Sequence, residues 1–404
     1  MKITYVNKFL YLIGALSLFV SFYFNIDSAG SGGFISDFRI TWPLVERPFN
    51  FHTDFDIKFP LHYLIASLIY FLVGDKELLR VTYCVIAIFA PFLFFVCLKK
   101  KYTYINENNL FLFSLIIFLL PSFRSAAIFP NTQITGIFFF LISLYFFLNW
   151  EIKKEFNHIN RDLFLLIFFM ALTVYVRQLY AMIFLYFVLV FFSKQNIKTF
   201  IQSCLLIAFF ALPGVIFVYF WPMILKATFD YKIYNSLLVN SSIISFFLIP
   251  FFSIIYLFEE KISFKKKEIF FLILVTVFVL LCSNIFDYNY LLGGGFFIKL
   301  SKLVFGNLYF FYLTSIIGFL LLFILCQESH FNSLIIIILL FSFSAYIIFM
   351  KYFEPMFIFI LFFLIKTKFT GLFLQNKRNI YLYHLYFLIY LTSGITNSIF
   401  LLTK

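Results

Sequence analysis

Carboxylates concentrate in one polar stretch near the start of the chain, residues 26–77. Seven of the 18 acidic residues lie there, among them Asp37 in GGFISDFRITW and the pair Asp54 and Asp56 in HTDFDIKFPLHY. A carboxylate held at the dry edge of an apolar region can have a raised pKa and act as a general base. The i, i+2 spacing of Asp54 and Asp56 would also let them share a divalent cation, magnesium or manganese. Solvation of a surface loop explains the same acids, so both interpretations stay open.

Isolated cations between apolar runs are suited to an anionic ligand. They are Arg39, which follows Asp37 closely, Arg124 in LLPSFRSAA, Arg177 in VYVRQLY with Gln178 beside it, and Lys351 in MKYFEP. A guanidinium matches the oxygens of a phosphate or pyrophosphate. The alternative is that each side chain snorkels to lipid headgroups as an anchor. For Arg177 we favour a functional role, because apolar runs reach it from both sides and so deep a charge should face a cavity.

Other reactive residue types give weaker signals. His52 and His62 bracket the Asp54/Asp56 segment, and we take His62 as a candidate substrate-binding residue, although loop histidines are more often simply solvated. The five cysteines lie in apolar stretches without CxxC or Cys/His spacing. The sequence contains no HExxH, GxSxG or Walker pattern. We therefore expect no cofactor beyond the divalent cation considered above.

The composition places these residues in a membrane protein. Of the 404 residues 63% are hydrophobic and only 12% charged, and the mean hydropathy is +1.01. A soluble domain of this length needs far more polar surface, so a bilayer must solvate these side chains. The net charge of +13 then indicates cytoplasmic loops and anionic headgroups rather than nucleic acid.

Recurring apolar runs predict an all-α polytopic fold, one transmembrane domain over residues 1–404. The first run is expected to be a retained signal anchor. We predict thirteen membrane-spanning helices, at 5–25, 78–98, 108–123, 133–149, 162–176, 178–193, 200–221, 237–258, 269–285, 307–326, 333–350, 354–366 and 380–402.

Charge decides how the segment 59–73 is interpreted. It is apolar but short, and Pro60 begins it, so it could span the membrane or lie in the outer interface. The N-terminal lysines and the cluster Lys99 to Lys101 should both be cytoplasmic. The chain between these two groups of lysines must therefore cross the membrane an even number of times. This condition is met if 59–73 does not cross and is an interfacial helix within the first periplasmic loop, 26–77. The N-terminus is then cytoplasmic, and the longest other outer segments are 222–236 and 286–306.

Several short motifs together resemble the GT-C membrane glycosyltransferases. A first span, an acidic outer loop and then KFPLHY, residues 58–63, resemble their first loop and its PPLYY-type motif. VYVRQLY around Arg177 is similar to the RQ motif of glucosyltransferases that act on lipid-linked oligosaccharide, and KYFEP resembles the RYxxP start of a late helix. Thirteen spans are also the topology of the aminoarabinose-transferase branch. The chain departs from the family in offering only Asp37 where an acidic pair is common.

This resemblance implies sugar transfer from a polyprenyl-linked donor to an acceptor at the periplasmic face of a bacterial inner membrane. Asp37 would be the base that deprotonates the acceptor, with Asp54 or Asp56 able to share that role. Arg124, Arg177 and Lys351 would stabilise the phosphate leaving group, and Arg39, His62 and Gln178 would bind substrate. A Phe-rich, AT-biased composition favours a bacterial surface-polysaccharide gene.

The most specific expectation is an O-antigen polymerase in lipopolysaccharide biosynthesis. AT-rich bacterial genes of this size, Phe content and topology commonly encode such polymerases. The enzyme would join undecaprenyl-pyrophosphate-linked glycans, with a chain-length regulator as an expected partner. A single-sugar GT-C transferase needs the same parts. The rival class is a flippase for lipid-linked oligosaccharide, which should show internal repeats; none is evident in the sequence.

Overall fold

The computed structural model describes residues 3–26, 33–48, 59–220, 232–261, 265–291, 293–341, 343, 345 and 347–402. Asp54, Asp56 and His52 lie outside the described residues. The architecture is all-α, which confirms the predicted fold class at that level.

Nineteen α-helices are numbered here in chain order along the described residues. They are α1 (Tyr5–Phe24), α2 (Gly33–Glu46), α3 (Leu61–Val73), α4 (Lys76–Ile88), α5 (Ala90–Lys101), α6 (Glu107–Ser114), α7 (Pro121–Ile128), α8 (Thr132–Lys153), α9 (Arg161–Val176), α10 (Tyr180–Lys194), α11 (Ile197–Phe220), α12 (Ile233–Phe258), α13 (Lys266–Ser283), α14 (Gly295–Phe305), α15 (Tyr309–Cys326), α16 (His330–Phe341), α17 (Met356–Phe359), α18 (Lys368–Gln375) and α19 (Lys377–Leu402). Leu115–Leu119 and Met350–Tyr352 are 3-10 turns, and Ile360–Leu364 is a π turn.

Along the described residues, six helical segments are long and apolar enough to cross a membrane, one of them α4 and α5 taken together, or up to eight if each of two bent pairs counts as one span. The first pair bends by 67° where Leu120 precedes Pro121, and the second bends by 104° before Lys368. Proline lacks the N–H that continues a helix, which explains the break inside the predicted span 108–123. The membrane character is confirmed, and the number of thirteen spans is not.

Two short helices and one irregular segment differ from the sequence prediction. α2 and α14 form inside stretches predicted only as outer loops, and the predicted span 333–350 stays helical only to Phe341. α3 confirms a helix where 59–73 was expected to have one, and its 13 residues are too few to span a bilayer alone. Its interfacial position stays a prediction.

The chain divides into two compact units, which are described separately. Unit 1 comprises residues 1–226 and 384–404, and unit 2 comprises residues 227–383. Whether they form the single transmembrane domain expected from the sequence stays a prediction.

In unit 1, a polar stripe on α1 supplies the contacts that hold this helix. Asn7 Nδ2 donates to the carbonyl of Asn108 (2.8 Å), and the Tyr11 hydroxyl donates to the carbonyl of Ile88 (2.8 Å). Ser17, Ser21 and Asn25 continue the stripe at four-residue spacing, which places them on the same face. Another face of α1 carries exposed apolar side chains, among them Phe9, Leu12, Leu16 and Val20, as expected for a helix that faces lipid.

Contacts inside unit 1 agree with the prediction that successive loops alternate between the two sides of the membrane. At one end, Lys194 pairs with Glu151 and Asn196 donates to Asn157 (3.2 Å), and all four residues fall in or beside segments predicted to be cytoplasmic. At the other end, Arg80 donates to Asn25 (2.8 Å), and both flank the predicted outer loop. The side of the membrane on which each end lies stays a prediction from the lysine distribution.

In unit 2, the backbones of α12 and α15 approach closely because small residues lie at their contact. A Cβ placed on Gly318 would lie 2.3 Å from the carbonyl oxygen of Ser241. Beside this contact, the hydroxyls of Ser242 and Thr314 are 3.0 Å apart, and the Ser241 hydroxyl donates to the carbonyl of Ser315 (2.8 Å). Small residues and interhelical hydrogen bonds are the usual means of helix association in membranes.

This close approach predicts that Gly318→Ala destabilises the protein by about 1–3 kcal/mol, because the added methyl group forces two backbones apart. The measurement is the thermal unfolding midpoint in detergent. Gly394→Ala is the matched control, since a Cβ there would lie 3.9 Å from its nearest neighbour, an ordinary contact. Equal midpoints for the two variants would contradict the packing argument.

Candidate functional site

The amino-terminal end of α8 brings together two of the predicted site residues. Asn131 caps the helix by accepting from the backbone N–H of Gln133 (3.2 Å). One turn further, the Thr135 hydroxyl is hydrogen-bonded to Nδ1 of His62 (2.9 Å). The next residue, Gly136, packs against the backbone near Arg177. A Cβ atom added to Gly136 would lie 4.0 Å from the Cβ of Arg177. Segments far apart in sequence therefore meet at consecutive residues of one helix.

The position of His62 follows from the start of α3. Pro60 precedes the helix, so His62 lies in its first turn. The side chain is only 2% exposed and packs edge to face against Tyr63 and Tyr83, with ring centroids 5.3 and 5.8 Å away. His62 is thus a fixed, buried imidazole, not the solvated loop histidine that was the alternative from sequence.

Arg177 lies at a break between two helices. α9 ends at Val176, and Arg177 adopts an extended conformation (φ −152°, ψ 108°) before the chain turns into α10. The carbonyls of Arg177 and Gln178 accept from Tyr180 and Ala181 (3.1 and 2.9 Å), so the turn itself begins the next helix. Arg177 and Gln178 are both half-buried. A half-buried guanidinium at a helix break can reach a ligand, which a fully enclosed one cannot.

A tyrosine that the sequence analysis overlooked, Tyr175, lies two residues before this break and anchors α9 to α11. Pro213 kinks α11, and the hydroxyl of Tyr175 inserts at the kink, where it accepts from the N–H of Gly214 (2.9 Å) and donates to the carbonyl of Phe210. These two backbone groups would otherwise pair with each other in a straight helix. A Cβ on Gly214 would lie 2.8 Å from the Tyr175 ring, so only glycine fits. In the sequence, the pair Pro213 and Gly214 within an apolar run was the feature that could have indicated this kink.

Arg124 is buried, and helix α1 surrounds its guanidinium. Nη1 donates to the Ser17 hydroxyl (2.8 Å) and the Phe118 carbonyl (3.1 Å), and Nη2 donates to the Ser17 carbonyl (3.1 Å) and the Ser21 hydroxyl (2.6 Å). These bonds use four of the five N–H groups of a guanidinium, and the residue is 3% exposed. The geometry gives Arg124 a structural role, while its predicted contact with substrate stays untested.

Arg80 extends this cluster and was not a candidate from the sequence. It donates to Glu77 (2.7 Å), Asn25 (2.8 Å) and the Ile128 carbonyl (3.0 Å). Its guanidinium also lies 4.5 Å from the ring centroid of Phe129, a cation–π contact. The spacing of Ser17, Ser21 and Asn25 within the first apolar run was the sequence signal for a buried cationic partner.

Helix α2, which carries Asp37, packs close to Arg80. In α2, Phe38 is 4% exposed and its ring lies 6.3 Å from that of Phe129, the same ring that covers Arg80. The neighbouring Asp37 belongs to α2 by its backbone, and its side chain is outside the part of the chain that the structure describes. Arg39 is exposed.

Lys351 belongs to unit 2 and is described there alone. It lies in a 3-10 turn, with its Nζ 5.0 Å from the ring centroid of Phe349. Glu354, three residues on, is 1% exposed. The predicted role of Lys351 beside the arginines of unit 1 stays a prediction.

No family model, curated protein or solved structure matches this chain. The residues themselves therefore carry the functional argument.

The chemistry available at the end of α8 is anion binding. The amino-terminal end of a helix carries a partial positive charge, and the Cβ of the positively charged Arg177 lies close to Gly136 in the second turn of α8. Within the described residues, no group of three or more His, Cys, Asp and Glu side chains could hold a metal ion, and the divalent cation suggested for Asp54 and Asp56 falls outside them. The site is suited to a phosphate-containing ligand.

The buried position of Arg124 predicts that Arg124→Ala lowers stability by several kcal/mol, because it leaves buried hydroxyl and carbonyl groups of α1 without their donor. Thermal unfolding in detergent and the amount of protein in the membrane are the measurements. Arg39→Ala is the control, since Arg39 is exposed and its loss should leave both nearly unchanged. A stable Arg124→Ala protein would show that these bonds are dispensable.

The insertion of Tyr175 predicts that Tyr175→Phe destabilises the protein by about 1–3 kcal/mol, because the hydroxyl satisfies two backbone groups at the kink. Tyr145→Phe provides the comparison, since that residue is a half-buried tyrosine on the neighbouring α8. The unfolding midpoints of the two variants are measured side by side. A drop for Tyr145→Phe as large as for Tyr175→Phe would contradict a specific role of the kink.

Proposed function

We propose that this protein is a GT-C-like membrane glycosyltransferase that uses polyprenyl-(pyro)phosphate-linked sugars, and more specifically an O-antigen polymerase acting at the periplasmic face. The observation that carries the proposal is that His62 contacts Thr135 of α8 while the chain at Arg177 packs against the next residue, Gly136. These contacts support the GT-C resemblance, because its PPLYY-type segment and its RQ-type segment converge on one helix.

Departure of the lipid phosphate is the step best explained by this geometry. As the glycosidic bond breaks, the anomeric carbon gains oxocarbenium character and the leaving oxygen gains negative charge. Arg177 and the amino-terminal dipole of α8 would stabilise that charge in a water-poor site. Gln178, beside Arg177, would bind the same group as a hydrogen-bond donor.

Activation of the acceptor hydroxyl requires a base, and Asp37 is the proposed one. Its helix lies against Phe129, whose ring covers Arg80, so α2 belongs to the same end of unit 1. Asp54 and Asp56 are the alternatives for the base. The buried imidazole of His62 would hold α3 against Thr135 of α8 and so position the loop that binds the acceptor. A divalent cation at Asp54 and Asp56 is compatible with this mechanism without being required by it.

A flippase for lipid-linked oligosaccharide is the second candidate, and the two bent helix pairs favour it. Transporters commonly bind substrate where membrane helices are interrupted, and the pairs here bend by 67° and 104°. The transferase stays the first choice because α2, His62 and Arg177 lie near the segment that joins α7 to α8 or near the first turns of α8, and a one-sided reaction would need its groups at one end of unit 1.

Mutagenesis read out on a surface-glycan gel tests the proposal. Arg177→Ala should reduce glycan formation by about 10²–10³-fold, the usual loss when a transition-state charge loses its partner, and Arg177→Lys should restore part of it. Asp37→Asn should abolish the product if Asp37 is the base, and Asp54→Asn and Asp56→Asn test the alternatives. Lys100→Ala, in a predicted cytoplasmic cluster, is the charge-matched control for loss of a cation.

The location of the accumulated lipid-linked donor separates the two classes. Loss of a transferase leaves donor on the outer leaflet, whereas loss of a flippase traps it on the inner one. A polymerase variant should further leave a single repeat unit on the acceptor, and a single-sugar transferase variant should change the repeat itself. Normal glycan from Arg177→Ala protein present in the membrane would overturn the transferase proposal.

A further inference from the structure

Helix α14 lies across the end of a candidate membrane span in unit 2. Phe310, in the first turn of α15, contacts both Phe297 near the start of α14 and Phe305 at its end, with ring-centroid distances of 5.7 and 5.6 Å. A helix that ran along α15 would place only one of these rings near Phe310, because the two positions are about 12 Å apart along the helix axis. α15 is long and apolar enough to cross a membrane. α14 therefore lies crosswise at the level where that span begins.

Hydrogen bonds hold α14 at both of its ends. Near the last turn, the Ser301 hydroxyl accepts from the backbone N–H of Phe311 in α15 (3.2 Å). Gly306, between the two helices, has a φ of +67°, a left-handed conformation that suits glycine and turns the chain sharply. Before the first turn, the Gly294 N–H donates to the carbonyl of Ile348 (2.8 Å). These bonds fix which side of α14 faces the rest of unit 2.

The outward face of α14 combines cations with apolar side chains. Lys299 and Leu303 share a face because they are four residues apart, and Lys302 lies beside them. Leu303 is 86% exposed and the following Val304 is 58% exposed. Within the part of the chain that the structure describes, neither lysine has an ion-pair partner, and the Nζ of Lys302 lies 5.5 Å from the ring centroid of Tyr290. α14 is therefore an amphipathic helix with its charges unpaired.

We propose that α14 lies in the membrane interface and binds the headgroups of anionic phospholipids through Lys299 and Lys302. Such a helix places its apolar side chains among the acyl chains, while its lysines extend to the phosphates. The acid nearest to α14 in the sequence, Asp287, is already paired with Lys232 (2.8 Å), so the lysines of α14 give the patch its positive charge. This binding is independent of glycosyl transfer and would anchor the end of α15 at the lipid surface.

A lipid surface fits this face better than a soluble protein partner does. The first turn of α15 contacts α14 along its length, so the exposed Leu303 and Val304 lie at the depth where the bilayer begins. Apolar side chains at that depth meet acyl chains without any further partner. The lysines beside them then add a preference for lipids of negative charge.

Photocrosslinking in a defined bilayer tests the proposal. The photoreactive p-benzoylphenylalanine replaces Leu303 in the full-length protein, which is reconstituted into vesicles of equal parts phosphatidylglycerol and phosphatidylcholine. Mass spectrometry then identifies the adducts. Phosphatidylglycerol adducts should exceed phosphatidylcholine adducts about fivefold or more, the factor that one lysine contributes near an anionic surface. Lys299→Gln combined with Lys302→Gln should make the two yields nearly equal, and Lys299→Arg combined with Lys302→Arg should keep the excess.

The same photoreactive residue at Phe209 is the matched control. Phe209 is 64% exposed near the middle of α11, where the probe meets acyl chains that both lipids share, so the two adducts should form equally. Three results would overturn the proposal. They are equal yields at position 303 while both lysines are present, an excess of phosphatidylglycerol that survives the double glutamine variant, and the absence of phospholipid adducts at position 303, as expected if protein or water covers this face.

Discussion

Burial of cationic and polar groups within apolar helices is the constraint on which unit 1 depends. Arg124 and Arg80 are 3% and 7% exposed, and such charges are tolerated only when every donor finds an acceptor. α1 provides those acceptors through Ser17, Ser21 and Asn25. Because these bonds reach from α1 to residues about 55 to 107 positions later in the chain, they fix the register of the first helix. This end of unit 1 is therefore built around two arginines that position other elements.

This arrangement separates two kinds of arginine that look alike in the sequence. Arg124 and Arg177 both follow apolar runs and both suit a phosphate. Arg124 is enclosed by acceptors of α1, whereas Arg177 is half-buried at the break between α9 and α10. Arg124 is 3% exposed and four of its N–H groups are bound to the fold, so the proposed mechanism assigns the developing negative charge to the more exposed Arg177.

Much of the fold followed from the sequence, and the reasons for the remainder are specific. Long apolar runs predicted helices such as α8, α11 and α12 closely, because no other structure satisfies the backbone in lipid. α2 and α14 were missed because short amphipathic helices lack the length signal of a span. In the site, the isolated charge of Arg177 was visible, and its neighbours at α8 were not. The pairing of His62 with Thr135 joins residues 73 positions apart, a contact that depends on tertiary packing and leaves no local pattern.

Breaks in helices connect the fold to the proposed chemistry. At a break, backbone groups lose their intrahelical partners and must be satisfied by side chains or by a ligand. Tyr175 performs this task at the Pro213 kink of α11, and Asn240 performs it at the end of α16. At the kink, the Tyr175 hydroxyl matches both freed backbone groups. Because Tyr175 lies in α9, two residues before Arg177, these bonds anchor to α11 the end of α9 that leads into the Arg177 turn.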